Sequence, residues 1–163
     1  MSKSILALLF IIPLHSHAQD NPDCFAEKDF LIIASNKIYE NALLTAQQAS
    51  VSLGVKLDLR NLLPANDTLK GLTLPPDSCL KLTREYDFSE SSCYFARGRY
   101  DDGVYISIEY SNSYLSFQRG YYIVIMGSGF KNDPELISAR DKVVLKFPNA
   151  YIKTSKVYMC CNQ

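Results

Sequence analysis

The sequence has no tryptophan, and its only histidines are His15 and His17. Both fall in residues 1–18, which read as a secretory signal peptide. Lys3 opens it, Ile5 to Leu14 forms the apolar run, and Ser16 and Ala18 place small residues before a cut after Ala18. The run is about ten residues, short of the roughly twenty that a membrane span requires. Cys24 follows Asn21-Pro22-Asp23, a poor lipid-attachment box. The expected product is periplasmic or secreted, begins near Gln19, has no membrane span and contains no histidine. Without histidine, Ser-His-Asp and Cys-His catalysis, His-ligated zinc and histidine pH switching are excluded.

An excess of charge of one sign is also absent: Lys+Arg 17 balances Asp+Glu 17. A neutral chain offers no basic surface for counterion release, so nucleic acid is not an expected partner. No glycine-rich phosphate loop and no Cys-x-x-Cys pair occurs, and no cofactor or metal is expected. Carboxylate chemistry is what remains for an enzyme. Asp87, Glu90, Asp101, Asp102 and Glu109 match no paired-acid spacing and read as solvated charges. The chain is therefore expected not to be an enzyme.

With 47% hydrophobic and 21% charged residues, the chain is globular rather than disordered. Residues 19–163 suit one domain. All five cysteines lie there: Cys24, Cys79, Cys93, Cys160 and Cys161. In an exported protein they are disulfide candidates. Cys79 and Cys93 bracket a polar stretch whose closure stabilises by about 3 kcal/mol. Cys24 then has Cys160 or Cys161 to choose from. The fifth thiol is buried and inert, free, paired between molecules or linked to its neighbour.

Two segments share one pattern. Phe30–Ser35 reads as a buried strand, followed by a helix capped by Ser35 or Asn36 and stopped at Gly54. Val55–Arg60 alternates as a half-exposed strand with Lys56, Asp58 and Arg60 on the wet side. In the second unit, Gly120–Met126 is a strand broken by Gly127-Ser128-Gly129. Asp133 and Pro134 then start a helix with Leu136, Ile137, Arg140, Val143, Val144 and Phe147 inward. Ala150–Tyr158 closes the chain as a strand. Between the units lies an insertion, 61–118. It is loop-like through Ser92, and then Tyr94–Tyr100 and Val104–Tyr110 flank Asp101-Asp102-Gly103 as a β-hairpin. Val104, Ile106, Ile108 and Tyr110 share one face of it.

These elements predict an α+β fold: one antiparallel sheet, two helices on one face, two β-α-β repeats and an inserted hairpin. In the β-α-β-β-α-β order the first and last strands are antiparallel neighbours, which brings Cys24 near Cys160-Cys161.

Phe30–Ser35 with the helix to Gly54, Tyr122–Ser128, and Phe147-Pro148-Asn149-Ala150-Tyr151-Ile152 resemble the repeats of the SPOR (sporulation-related) domain, over about half of the mature chain. The resemblance implies an exported, non-catalytic domain that binds peptidoglycan glycan strands on its sheet. The long insertion, the hairpin and the disulfide candidates depart from that pattern. They admit a second class: a periplasmic protein-interaction domain, such as an inhibitor or immunity factor against a toxin or hydrolase, with an envelope protein as partner.

The candidate binding residues lie on and near the hairpin. Arg97 and Arg99, at alternate positions around Gly98, are expected on one exposed face, with forked donors for a carboxylate or phosphate. Tyr105 joins them, and Tyr100 and Tyr122 are further candidates. The alternatives are edge charges that discourage strand pairing, and tyrosines that cover the open face of the sheet.

Overall fold

Phe30, Leu31, Ile32 and Ile33 are all buried, two on each side of their strand. A continuous apolar run is what burial on both faces of a sheet demands. The computed structural model describes residues 24–65, 71–86, 93–99 and 101–159. The chain forms β1 (Phe25–Asn36), α1 (Tyr39–Leu53), the short strands β2 (Leu63–Pro64) and β3 (Leu72–Thr73), and α2 (Pro76–Tyr86). There follow β4 (Ser107–Tyr110), a 3-10 turn (Ser111–Ser113), β5 (Tyr122–Phe130), α3 (Pro134–Val143) and β6 (Tyr151–Tyr158).

The fold is α+β, with a four-stranded antiparallel sheet in the order β4-β5-β1-β6. The first and last long strands are antiparallel neighbours, from Phe25 opposite Tyr158 to Ile32 opposite Tyr151. The expected strand Val55–Arg60 is not part of this sheet. Its place beside β5 is taken by β4, and Leu57 makes only a single parallel bridge to Ile106. Asp58 N–H donates to Ile106 O at 2.8 Å, and Ile106 N–H donates to Lys56 O at 2.8 Å. The first repeat unit is thus incomplete and the second complete.

α1 and α3 pack on one face. Ala42, Ala46 and Ala49 bring α1 close to Leu31, Ile33, Val124 and Met126, with Leu136 and Val143 from α3. Gly54, at φ 66°, caps α1 with its N–H on Ser50 O. The N-cap is Ile38 rather than Ser35 or Asn36, although Asn36 Oδ1 accepts from Ile38 N–H at 3.0 Å. Asp133 caps α3, accepting from the N–H groups of Glu135 and Leu136. The α3 stripe is narrower than expected. Ile137 is 39% exposed, and Arg140 pairs with Asp141 at the surface.

Gly127 and Gly129 do not break β5, which runs on to Phe130. Their role is close approach. A Cβ at Gly127 would lie 2.9 Å from Leu136 Cδ1, and one at Gly129 would lie 2.4 Å from Asp133 Oδ2. The two glycines let the start of α3 sit against the strand.

The insertion is less loop-like than its composition suggested. It holds α2 and the β2–β3 pair. Cys79 of α2 is disulfide-bonded to Cys93, as expected. Cys24 is also disulfide-bonded, and its expected partners, Cys160 and Cys161, lie outside the described residues. Met159 N–H donates to Cys24 O at 2.7 Å, so the last described residue lies beside Cys24. The signal peptide at 1–18 also lies outside the described residues. Among the described residues no helix is long and apolar enough to cross a membrane.

Candidate functional site

The face of the sheet opposite the helices is the candidate binding face, and the chain itself covers its centre. Phe30, Ile32, Ile123, Ile125 and Val157 point there, and Tyr114 and Phe117 lie over them. The Phe30 ring meets Tyr114 edge-on at 4.9 Å and Phe117 at 5.9 Å. Gly98, at φ 98°, crosses directly above Phe30: a Cβ there would lie 2.7 Å from the ring. The segments 93–99 and 111–119 form a strap over the sheet.

Residues 93–99 do not form the expected hairpin with Val104–Tyr110. Asp101 Oδ1 accepts from Gly103 N–H at 3.0 Å, closing a local side-chain turn. Val104, expected to share a face with Ile106, Ile108 and Tyr110, is 68% exposed while those three are buried. β4 is buried on both faces, including Ser107 and Glu109.

Arg97 corrects the expectation of an exposed charge: its exposure is 0%. The guanidinium sits 3.7 Å over the Tyr105 ring. Its Nη1 donates to Tyr105 O at 2.7 Å and Ser107 Oγ at 3.2 Å, and its Nη2 donates to Gly103 O and, at 3.4 Å, to Met126 O. Nε has no partner. Burial pulls the guanidinium below its ordinary pKa, against the pull of Tyr105, Glu109 and Asp101 in the other direction. Arg97 is a rivet between the strap, the start of β4 and the middle of β5.

Glu109 is the second buried charge, at 0% exposure, and not the solvated acid expected. Both of its oxygens accept from Arg60 Nη1, at 2.9 and 3.0 Å. Tyr94 Oη donates to it at 2.7 Å, and Arg97 N–H at 3.2 Å. Arg60 Nη2 also donates to Phe95 O at 2.7 Å. Burial alone would lower the Arg60 pKa, but the Glu109 charge and hydrogen bond raise it. Arg60 was expected on the wet side of a strand. Its φ of 55° and that of Asn61, 56°, turn the chain inward instead. A third buried charge is Lys28, which pairs with Asp102 and lies 3.7 Å over the Phe130 ring.

The other candidates divide. Tyr105 is half-buried, beneath Arg97, and its hydroxyl donates to Asp101. Arg99 is half-buried with its guanidinium 5.3 Å from the Tyr158 ring, away from Arg97. Tyr122 lies at the far end of β5, bonded to Gly71 O at 3.1 Å and packed on Tyr39 and Tyr110. Tyr100, Asp87 and Glu90 lie outside the described residues. The four described candidates, Arg97, Arg99, Tyr105 and Tyr122, do not form one exposed constellation. Arg60, Glu109 and Lys28 were missed; the one available signal was a glutamate among Ile106, Ile108 and Tyr110.

Openings among the described residues include a groove and a notch. The groove, of about 590 Å³, lies between the end of α1 and α3, lined by Leu53, Val55, Met126, Ala139 and Lys142 among others. The notch, of about 410 Å³, lies where β1 outruns β6, with Ile33, Ser35, Phe147, Asn149 and Tyr151 on its walls. Among the described residues no group of His, Cys, Asp and Glu could hold a metal ion. Compared with known proteins, the chain matches no family model, no curated sequence and no solved structure at a significant level.

Proposed function

We propose that this chain is an exported, non-catalytic protein-interaction domain, an inhibitor or immunity factor acting on an envelope or secreted protein. One observation carries the reading. The central sheet face, where the SPOR resemblance would seat a glycan, is filled by the chain's own Tyr114, Phe117 and Gly98. The disulfides suit an oxidising compartment such as the periplasm. The Arg97–Glu109–Arg60 network holds the cover in place, so the insertion belongs to the fold rather than to an open site.

Peptidoglycan glycan binding remains as a second reading, on one observation. The notch beside β6 has aromatic walls, Phe147 and Tyr151, with Ser35 and Asn149 as polar groups, a combination that suits a sugar ring. Co-sedimentation with purified peptidoglycan, intact and stripped by amidase, separates the two readings. It is run beside capture from envelope extract, read by mass spectrometry. A one-to-one protein complex that survives gel filtration, with no sedimentation, supports the interaction domain. Sedimentation enhanced by stripping replaces it with the glycan reading.

A further inference from the structure

The two edges of the sheet are finished differently. The β4 side is closed by the bridge from Leu57 to Ile106. β6 pairs with β1 and with no other strand among the described residues. Its outward groups follow from the register. Met159 N–H bonds to Cys24 O, and hydrogen-bonded pairs alternate along an antiparallel ladder. Tyr151, Lys153, Ser155 and Val157 therefore turn their main-chain groups toward β1. Ile152, Thr154 and Lys156 turn theirs outward, and the N–H groups of these three have no partner among the described residues.

The charge along this edge is one-sided in a chain that is neutral overall. From residue 142 to residue 163 there are four lysines, at 142, 146, 153 and 156, and no Asp or Glu. Lys153 and Lys156 lie on the two opposite faces of β6. Lys153 is 5.1 Å from the Phe117 ring, on the strap side, and Lys156 is exposed. The carboxylates nearest in register, on β1, are engaged: Glu27 with Lys131, and Asp29 with Thr154 Oγ1 and Asn132 N–H.

We propose that β6 is a docking edge for an extended, acidic segment of a partner protein, which adds to the sheet as a further strand. This rests on the protein-interaction reading above. Main-chain groups of Ile152, Thr154 and Lys156 supply the ladder, and Lys153 and Lys156 supply a cation on each face for carboxylates of the incoming strand. The same lysines disfavour a second copy of this chain. Antiparallel self-pairing centred on Thr154 sets Lys153 diagonal to its own copy, and self-pairing centred on Ser155 does the same for Lys156, a like-charge contact in either register.

The test uses the full exported chain and two eight-residue peptides, one alternating glutamate with valine and threonine, the other with lysine in place of glutamate. The acidic peptide is expected to bind roughly tenfold tighter than the basic one at low salt, and to lose that margin at high salt. Amide exchange is expected to slow at Ile152, Thr154 and Lys156 and to stay unchanged at Ser155 and Val157. The K153E/K156E variant, checked by its melting temperature, is expected to reverse the preference, and K153Q/K156Q to abolish it. Equal binding of the two peptides, binding of neither, or no change at the three amides overturns the proposal, as does a dimer through β6. The two readings fail separately. If K153E/K156E still captures the wild-type partner from envelope extract with unchanged affinity, the docking edge is wrong and the interaction domain stands. If the wild type captures no protein, the interaction domain itself is wrong.

Discussion

The two faces of the sheet are covered by different means. The helix face is closed by repetition: Ala42, Ala46 and Ala49 on α1, Leu136 and Val143 on α3, against Leu31, Ile33, Val124 and Met126. Any residues of similar volume at that spacing would serve. The strap face is closed by individuals. It combines an aromatic cluster with the buried Arg97, Glu109 and Lys28 and the half-buried Arg60, each matched to a named partner. Periodic packing tolerates exchange, whereas a buried charge network fails when one member is lost.

The sharpest break of that comparison is Glu109→Gln. It leaves Arg60 facing a neutral group, and a loss of about 3–5 kcal/mol is expected from urea unfolding at neutral pH. The double replacement of Arg60 by Met and Glu109 by Leu, which removes both charges, is expected to cost less. A helix-face control, Ile33→Val, is expected to cost about 0.5–1.5 kcal/mol. If Glu109→Gln costs no more than the control, the network does not hold the strap.

Next in size is the Cys79–Cys93 disulfide, which anchors the start of the strap. Replacing both cysteines with serine is expected to lower stability by about 3 kcal/mol on the loop-entropy account. Hydrogen exchange is expected to rise first at 93–99 and last in β1. Uniform loss across both faces would show that the strap has no separate stability.

The smallest effect is alkaline. Burial, and then the Glu109 charge, raise the pKa values of Tyr94 and Tyr114 well above 10.0. The folded protein therefore keeps protons that the unfolded chain releases. The stabilisation is complete below the unfolded value near 10 and falls as pH rises from there toward the folded values. The urea midpoint is expected to fall between pH 9 and 11 (about one unit either side of that value), and to fall less in Tyr114→Phe. A parallel fall in the variant would assign the loss to other groups.

What could be read from the sequence follows the same division. α1 with its stop at Gly54, the Asp133-Pro134 start of α3, the β1–β6 pairing and the Cys79–Cys93 bond all rest on local chemistry or strand adjacency. The strap does not. Asp101-Asp102-Gly103 carries a hairpin signal, yet Asp101 closes on Gly103 N–H and Arg97 goes into the interior. The partners of that arginine are mostly backbone carbonyls, at Gly103, Tyr105 and Met126, which no side-chain spacing encodes. Val55–Arg60 alternates as a strand should, but Arg60 reaches across to Glu109 and only Leu57 bridges to the neighbouring chain segment. Of the candidate binding residues, Arg97 is therefore part of the cover, and Tyr105 and Tyr122 are tied to it or to the core by their hydroxyls.

The meeting of the two chain ends also determines how the domain bears force. β1 begins and β6 finishes at the same end of the sheet, Phe25 opposite Tyr158. A pull on the two termini therefore opens that ladder like a zip, one rung at a time, rather than shearing all its rungs together. Hydrogen bonds loaded in sequence yield at low force. The bond at Cys24 sits at the first rung, where Cys24 O already holds Met159 N–H. If that bond runs to one of the cysteines after Met159, tension passes through sulfur and the ladder behind it is not loaded. The domain would then withstand pulling when oxidised and peel open from its ends when reduced.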